Sequence, residues 1–269
     1  MPVLNCVGFS DSTSVKQNDF EIIIKTHIKA ACLGIIGKAD NSWAGNSYLY
    51  FDMNAGPGFY NGISGSPIIF LNEAAKYDRT LFDVFLFESN ELNFQQLKEN
   101  IANCHYPKNI NIRIMNTDSS SDILKHVPSK GFPKYGLIYS DPTGQVPPFE
   151  TLAKISNITQ CKKIDIVVNF AATTIKRIRG SHVCSESQTL KDYLSKINKQ
   201  HWMVREPNSR HQWSFVIGSN WKDFPAFKKQ DFHGIESKRG SSIFDFINYS
   251  KKEKTVERIK QCKQLSLSF

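Results

Sequence analysis

Tyr48-Leu49-Tyr50-Phe51-Asp52-Met53-Asn54-Ala55-Gly56-Pro57-Gly58 is the stretch on which the fold turns. An aromatic and aliphatic run ends in a carboxylate and then in Gly-Pro-Gly, the pattern of a buried strand opening into a tight loop. Glycine there lets the backbone approach a bound molecule that a Cβ would strike. The dinucleotide fingerprint G-x-G-x-x-G is incomplete, since Gly56 and Gly58 fit but Asn61 stands in the third place. The next helix begins only near Ser66, whereas a pyrophosphate is held by a helix N-terminus directly behind the turn. An adenosine cofactor without phosphates therefore fits better than NAD.

Working outward, five more β-rich runs follow: Phe82–Phe87, Ile110–Met115, Tyr135–Tyr139, Ile164–Val168 and Trp213–Ile217. Helical segments are expected over Asp19–Ile36, from Ser66-Pro67 (a capping hydroxyl before a first-turn proline) to Tyr77, and over Glu91–Cys104, Ser121–Leu124 and Pro148–Ile158. Strands alternating with helices of these lengths predict an α/β fold with a doubly wound, mostly parallel sheet. In such sheets ligands bind beyond the carboxyl ends of the strands, where the strand order reverses. Asp52, Glu88, Asn116 with Asp118, Asp141 and Asn169 all fall at such ends. A lone acidic residue after a strand is usually a turn former; one at each of five successive strands points to a ligand.

Two of these positions carry specific chemistry. Glu88 can accept both ribose hydroxyl protons, although a carboxylate just ahead of Glu91 also suits a helix N-terminus. Asp141-Pro142-Thr143-Gly144 offers a carboxylate and an adjacent carbonyl that together accept hydrogen bonds from an exocyclic amine. Holding the nitrogen so aims its lone pair at an electrophilic methyl group, and positioning and electrostatics then carry the reaction.

Y-F-D-M-N-A-G-P-G, G-S-P-I-I-F-L, F-L-F-E and S-D-P-T-G together resemble the class I S-adenosylmethionine-dependent methyltransferases, and more narrowly the three-Cys-motif partner (TcmP) group. The resemblance runs from about Lys25 to Asn220 and is densest over Phe51–Pro67. It implies a Rossmann-like seven-stranded sheet binding S-adenosyl-L-methionine. Asp52, Asn54 and the Ala55, Gly56 and Gly58 backbone would face the methionine moiety, Glu88 the ribose, and Asn116 or Asp118 the adenine edge. Asp141, Pro142 and Thr143 would form the catalytic segment. Amine methyltransferases of nucleic acid typically carry an aromatic after Asp-Pro-Pro that stacks on a flipped base. Thr143 and Gly144 fill those places here, so Tyr60, Tyr139 or Phe149 is needed as the stacking ring, or the acceptor is not a flipped base.

Composition narrows the partners. The 269 residues, with 19 Phe, 9 Tyr and 4 Trp, carry far more apolar surface than a disordered chain. No apolar run approaches the ~20 residues of a membrane span, and Met1–Ser10 does not read as a signal peptide; a cytoplasmic chain is expected. Six cysteines without a C-x-x-C pair and seven histidines without ligand spacing predict no metal site. Segments 176–210 and 228–263 each carry a net +5 of the chain's +9. Two basic segments on a neutral body suit a polyanion, and Lys176, Arg177 and Arg179 are the expected nucleic-acid contacts, with DNA ahead of RNA. The expected organisation is one domain over 1–269, with 176–210 a basic insertion and 228–269 a basic C-terminal extension. The expected activity is methylation of an exocyclic amine of nucleic acid, adenine N6 first. A small-molecule or protein methyltransferase, or a catalytically silent partner subunit, are the alternatives.

Overall fold

The computed structural model describes residues 13–36, 47–142, 145–171, 190–207, 213–221, 225–228 and 230–248. Thr143, Gly144, Lys176, Arg177 and Arg179 lie outside them. After helix α1 (Thr13–Gly34) the chain enters strand β1 (Ser47–Asp52), then a two-stranded hairpin, β2 (Phe59–Tyr60) and β3 (Ile63–Ser64), and helix α2 (Ser66–Ala74). There follow β4 (Leu81–Phe87), α3 (Glu91–Ala102), β5 (Ile110–Met115), α4 (Ser119–Asp122), β6 (Tyr135–Ser140), α5 (Phe149–Ser156) and β7 (Ile164–Ala171). The last part comprises α6 (Leu190–Ser195), β8 (His201–Arg205), β9 (Trp213–Ser219), α7 (Pro225–Lys228), β10 (Phe232–Gly234) and α8 (Lys238–Asn248).

The main sheet runs β10-β8-β9-β7-β6-β1-β4-β5. Strand β1 pairs in parallel with β4 on one side and β6 on the other, so the chain reverses its order there and leaves a crevice at their carboxyl ends. Strand β9 is antiparallel to both β7 and β8, and β10 is antiparallel to β8. The sheet has eight strands rather than the expected seven because β10 extends the edge beyond β8. No helix among the described residues is long and apolar enough to cross a membrane.

Side chains alternate across this sheet with period two. Tyr48 and Tyr50 of β1 face a cluster with Phe20, Ile24 and Ile28 of α1 and Phe70 of α2. Leu49 and Phe51 face the opposite cluster with Leu152 of α5 and Leu194 of α6. Covering both faces explains why the central strands read as unbroken apolar runs.

Three local expectations change. Helix α1 begins six residues earlier than expected, at Thr13, which brings Lys16 into its first turn. Ser66 is inside α2 rather than its cap: Gly65 is the N-cap, and no side chain bonds there. His201–Arg205, expected within the basic insertion 176–210, is one of the strands of the sheet.

Candidate active site

The glycine loop is tied to the sheet on both sides before it meets any side chain. Met53 N–H donates to the Tyr139 carbonyl and Ala55 N–H to the Phe87 carbonyl, both at 2.9 Å. Gly56 and Gly58 adopt left-handed φ of 64° and 81°, which the turn requires of them. Gly56 N–H then donates to Glu88 Oε2 at 2.8 Å, joining the β1 loop to the end of β4 on one rim. Asn90 N–H donates to Glu88 Oε1 at 2.7 Å. Glu88 thus holds a loop as well as marking a rim, and each oxygen keeps a further lone pair. A Cβ on Gly56 would meet nothing within 4 Å, so open space lies over the loop where a ligand can approach.

Behind this loop, Asp52 is fully buried. It accepts from Asn54 N–H and the Tyr50 hydroxyl, both at 3.1 Å. Burial pushes its carboxyl up to about 7, against the pull of bonds from Ser66, the Asn54 backbone and Tyr50. Asp52 lies beneath the rim and fixes the loop from within. Asn54 carries the link onward, its Oδ1 accepting from Asp141 N–H at 3.1 Å.

Asp141 ends this chain of contacts and is the most heavily bonded side chain of the rim. Asn169 Nδ2 donates to Oδ1 at 2.8 Å, while the Tyr139 hydroxyl, at 3.1 Å, and the Lys16 ammonium, at 2.6 Å, both donate to Oδ2. Burial pushes the Asp141 carboxyl up, and the Lys16 charge with the bonds from Lys16, Asn169 and Tyr139 outweighs it, leaving the group below its ordinary value. Asp141 is therefore an ionised carboxylate at neutral pH. Pro142 follows it, half-buried. Lys16 was not legible as a site residue: it lies 125 positions from Asp141 in a helix whose sequence carries no motif.

The third strand end contributes less than expected. Asp118 caps α4, accepting from Ser120 N–H at 3.1 Å, and it is exposed. Asn116 donates to Glu91, at the start of α3. Neither shares a hydrogen bond with Gly56, Glu88 or Asp141. Asp118 thus has a local capping role and Asn116 a contact at the start of α3. Nearby, between α4, α6 and the approach to α5, a cavity of about 450 Å³ is lined by Ser120, Val146, Pro148 and Tyr193 among others, and it excludes Gly56, Glu88 and Asp141. Of the three candidate stacking rings, Tyr139 and Phe149 are 1% and 3% exposed and cannot receive a base. Phe149 stacks instead on Tyr193, with ring centroids 4.5 Å apart. Tyr60, half-buried on the hairpin, remains.

Glu88→Ala would release Gly56 N–H and remove the rim's carboxylate together. Affinity for S-adenosylhomocysteine by calorimetry should fall by about 1–3 kcal/mol, the scale of a lost charged hydrogen bond. An unchanged affinity removes Glu88 from the cofactor site.

No protein-family model matches the chain, and no curated protein matches it. Among solved structures it is similar to DszA carbon methyltransferase, at 11% identity and a TM-score of 0.51, over 77% of this chain and 55% of that one. A protein from Legionella pneumophila str. Philadelphia 1 is similar at 14% identity and a TM-score of 0.46, over 78% of this chain and 89% of that one. The N-terminal domain of human METTL16, solved with SAH, is similar at 10% identity and a TM-score of 0.45, over 81% and 74%. The narrower likeness to the TcmP group thus rests on the motifs alone. The strand order, the crevice at β1 and the likeness to DszA together show that the chain has the Rossmann-like fold of class I methyltransferases.

Proposed function

We propose that the protein is an S-adenosylmethionine-dependent methyltransferase acting on an exocyclic amine of nucleic acid, adenine N6 first and DNA ahead of RNA. The observation that carries this reading is the 2.8 Å bond from Gly56 N–H to Glu88, which sets a glycine loop and a strand-end carboxylate on the rim where the strand order reverses. Open space over Gly56 and the lone pairs that Glu88 keeps for ribose hydroxyls support a nucleoside without phosphates there. S-adenosylmethionine, when bound, supplies an electrophilic methyl on a sulfonium. The Ala55–Gly58 backbone and Glu88 hold the cofactor, while Asp141, with Pro142 and Thr143, receives the amine. Asp141, already ionised, needs no prior loss of a proton to accept the amine's hydrogen bonds.

The deciding experiment supplies labelled S-adenosylmethionine to separate pools of DNA, RNA and protein and asks which becomes labelled. Label in nucleic acid supports the reading, and label in protein alone overturns its substrate. Lys176, Arg177 and Arg179 extend the same proposal to the phosphate backbone. Replacing all three with Gln should weaken DNA binding and reduce the salt slope of log K by about 2–3, since each phosphate contact contributes close to 0.9. Equal slopes in variant and parent would assign the basic segment to solubility.

A silent partner subunit is the second reading, and one observation favours it: three side-chain donors already engage Asp141. Cofactor binding without label in any pool would favour it or a small-molecule acceptor over nucleic acid.

A further inference from the structure

Lys16 occupies the place of an incoming amine. Its ammonium lies 2.6 Å from Asp141 Oδ2, and the two side chains are only 19% and 15% exposed. With Tyr139 on the same oxygen and Asn169 on the other, three donors engage a carboxylate that has about four lone-pair positions. One position stays open, on Oδ1. Beside it, Asn169 Oδ1 is buried and has no hydrogen-bond partner among the described residues. The carboxylate fixes the orientation of that amide, because the flipped form would set carbonyl oxygen against carboxylate oxygen. An acceptor left buried without a donor is costly, and an arriving N–H removes that cost.

Deepening the methyltransferase reading and resting on it, we propose that Lys16 and Asn169 determine the specificity of the acceptor seat, selecting an uncharged amino group and rejecting an alkylammonium. Two acceptors, Asp141 Oδ1 and Asn169 Oδ1, match the two N–H groups of a nucleobase amine, which is conjugated with its ring and uncharged at neutral pH. An alkylamine has a pKa of about 10.4 and arrives charged. A bare carboxylate would attract it. Lys16 cancels the charge of Asp141 and adds like-charge repulsion inside a site withdrawn from water. Lys16 therefore acts through charge, and Asn169 through the oxygen it leaves open.

Two readouts test this on the full chain. Saturation-transfer NMR at pH 7.5 compares 9-ethyladenine with n-butylamine and needs no turnover. The parent should bind the adenine, and Lys16→Gln should bind butylamine at least about 10-fold more tightly than the parent does, while Lys16→Arg keeps the parent's preference. Asn169→Ala, which removes the open oxygen, should weaken the adenine about 10-fold and leave butylamine rejected. In the second readout, n-butylamine should inhibit labelled methyl transfer to an oligonucleotide by Lys16→Gln and leave the parent's transfer unchanged. Butylamine bound equally by parent and Lys16→Gln overturns the selection. Calorimetry with S-adenosylmethionine keeps the two claims apart: no cofactor binding refutes the methyltransferase reading, whereas the seat's selectivity is decided by the NMR comparison.

Discussion

Asp141→Ala is expected to lower the rate of methyl transfer by about 10²–10³-fold, while affinity for S-adenosylhomocysteine stays within about threefold. Removing a single preorganised polar group from a reacting centre costs on that scale, because its contribution is largest where charge shifts during the reaction. The cofactor is expected to be spared because Glu88, proposed to hold it, shares no hydrogen bond with Asp141. Asp141→Asn separates charge from shape: it retains an acceptor for Asn169 and loses the partner of Lys16. Single-turnover rates and calorimetry on both variants check the assignment. Loss of cofactor affinity together with rate would move Asp141 to the cofactor side, and an unaffected rate would remove it from the reaction.

The largest effect on stability is expected at the other end of the sheet. His27, on α1, is fully buried, with Nε2 at 2.9 Å from Asp165 Oδ2 and Nδ1 at 2.7 Å from the Tyr48 hydroxyl. A neutral ring donating from Nε2 and accepting at Nδ1 satisfies both contacts. The Tyr135 hydroxyl donates to the same carboxylate oxygen at 3.4 Å. Asp165→Ala leaves the His27 N–H and the Tyr135 O–H buried without an acceptor. Two stranded donors and the emptied volume should lower the unfolding free energy by about 3–5 kcal/mol. Asp165→Asn keeps one acceptor for His27 and should lose much less. Urea denaturation of the three proteins checks this, and a loss under about 1 kcal/mol for the alanine variant would show that the cluster contributes little. The test bears on function because the same helix carries Lys16 in its first turn. The His27 cluster anchors α1 across β1, β6 and β7 and so helps to place Lys16 at the far rim.

Helix α1 also shows where a reading from sequence stops. A helix was expected over Asp19–Ile36, and its Phe20, Ile24 and Ile28 all become core. Nothing local marked Lys16, because the meaning of an exposed-looking lysine depends on what the far end of another element brings to it. Strand β8 was missed for a related reason. His-Trp-Met-Val-Arg is short and set among basic residues, and its place in the sheet depends on β9, where Trp202 pairs with Gly218. A Cβ at Gly218 would fall 2.5 Å from the Trp202 ring, so that glycine makes room for the neighbouring strand's indole.

Asp52 and Asp118 make the same distinction among carboxylates. Each falls at a strand end, as the sequence required, yet one is buried beneath its loop and the other caps a short helix. Period-two patterning, strand ends and glycine turns are short-range properties set by residues within a few positions of one another, and by themselves they determined the parallel core and the rim of strand ends. Which strand-end carboxylate is ionised and which is already paired follows from burial and from the charge and the donors brought together across 28 to 125 residues. Only the tertiary structure decided those, because desolvation and Coulomb terms depend on distance in space rather than along the chain.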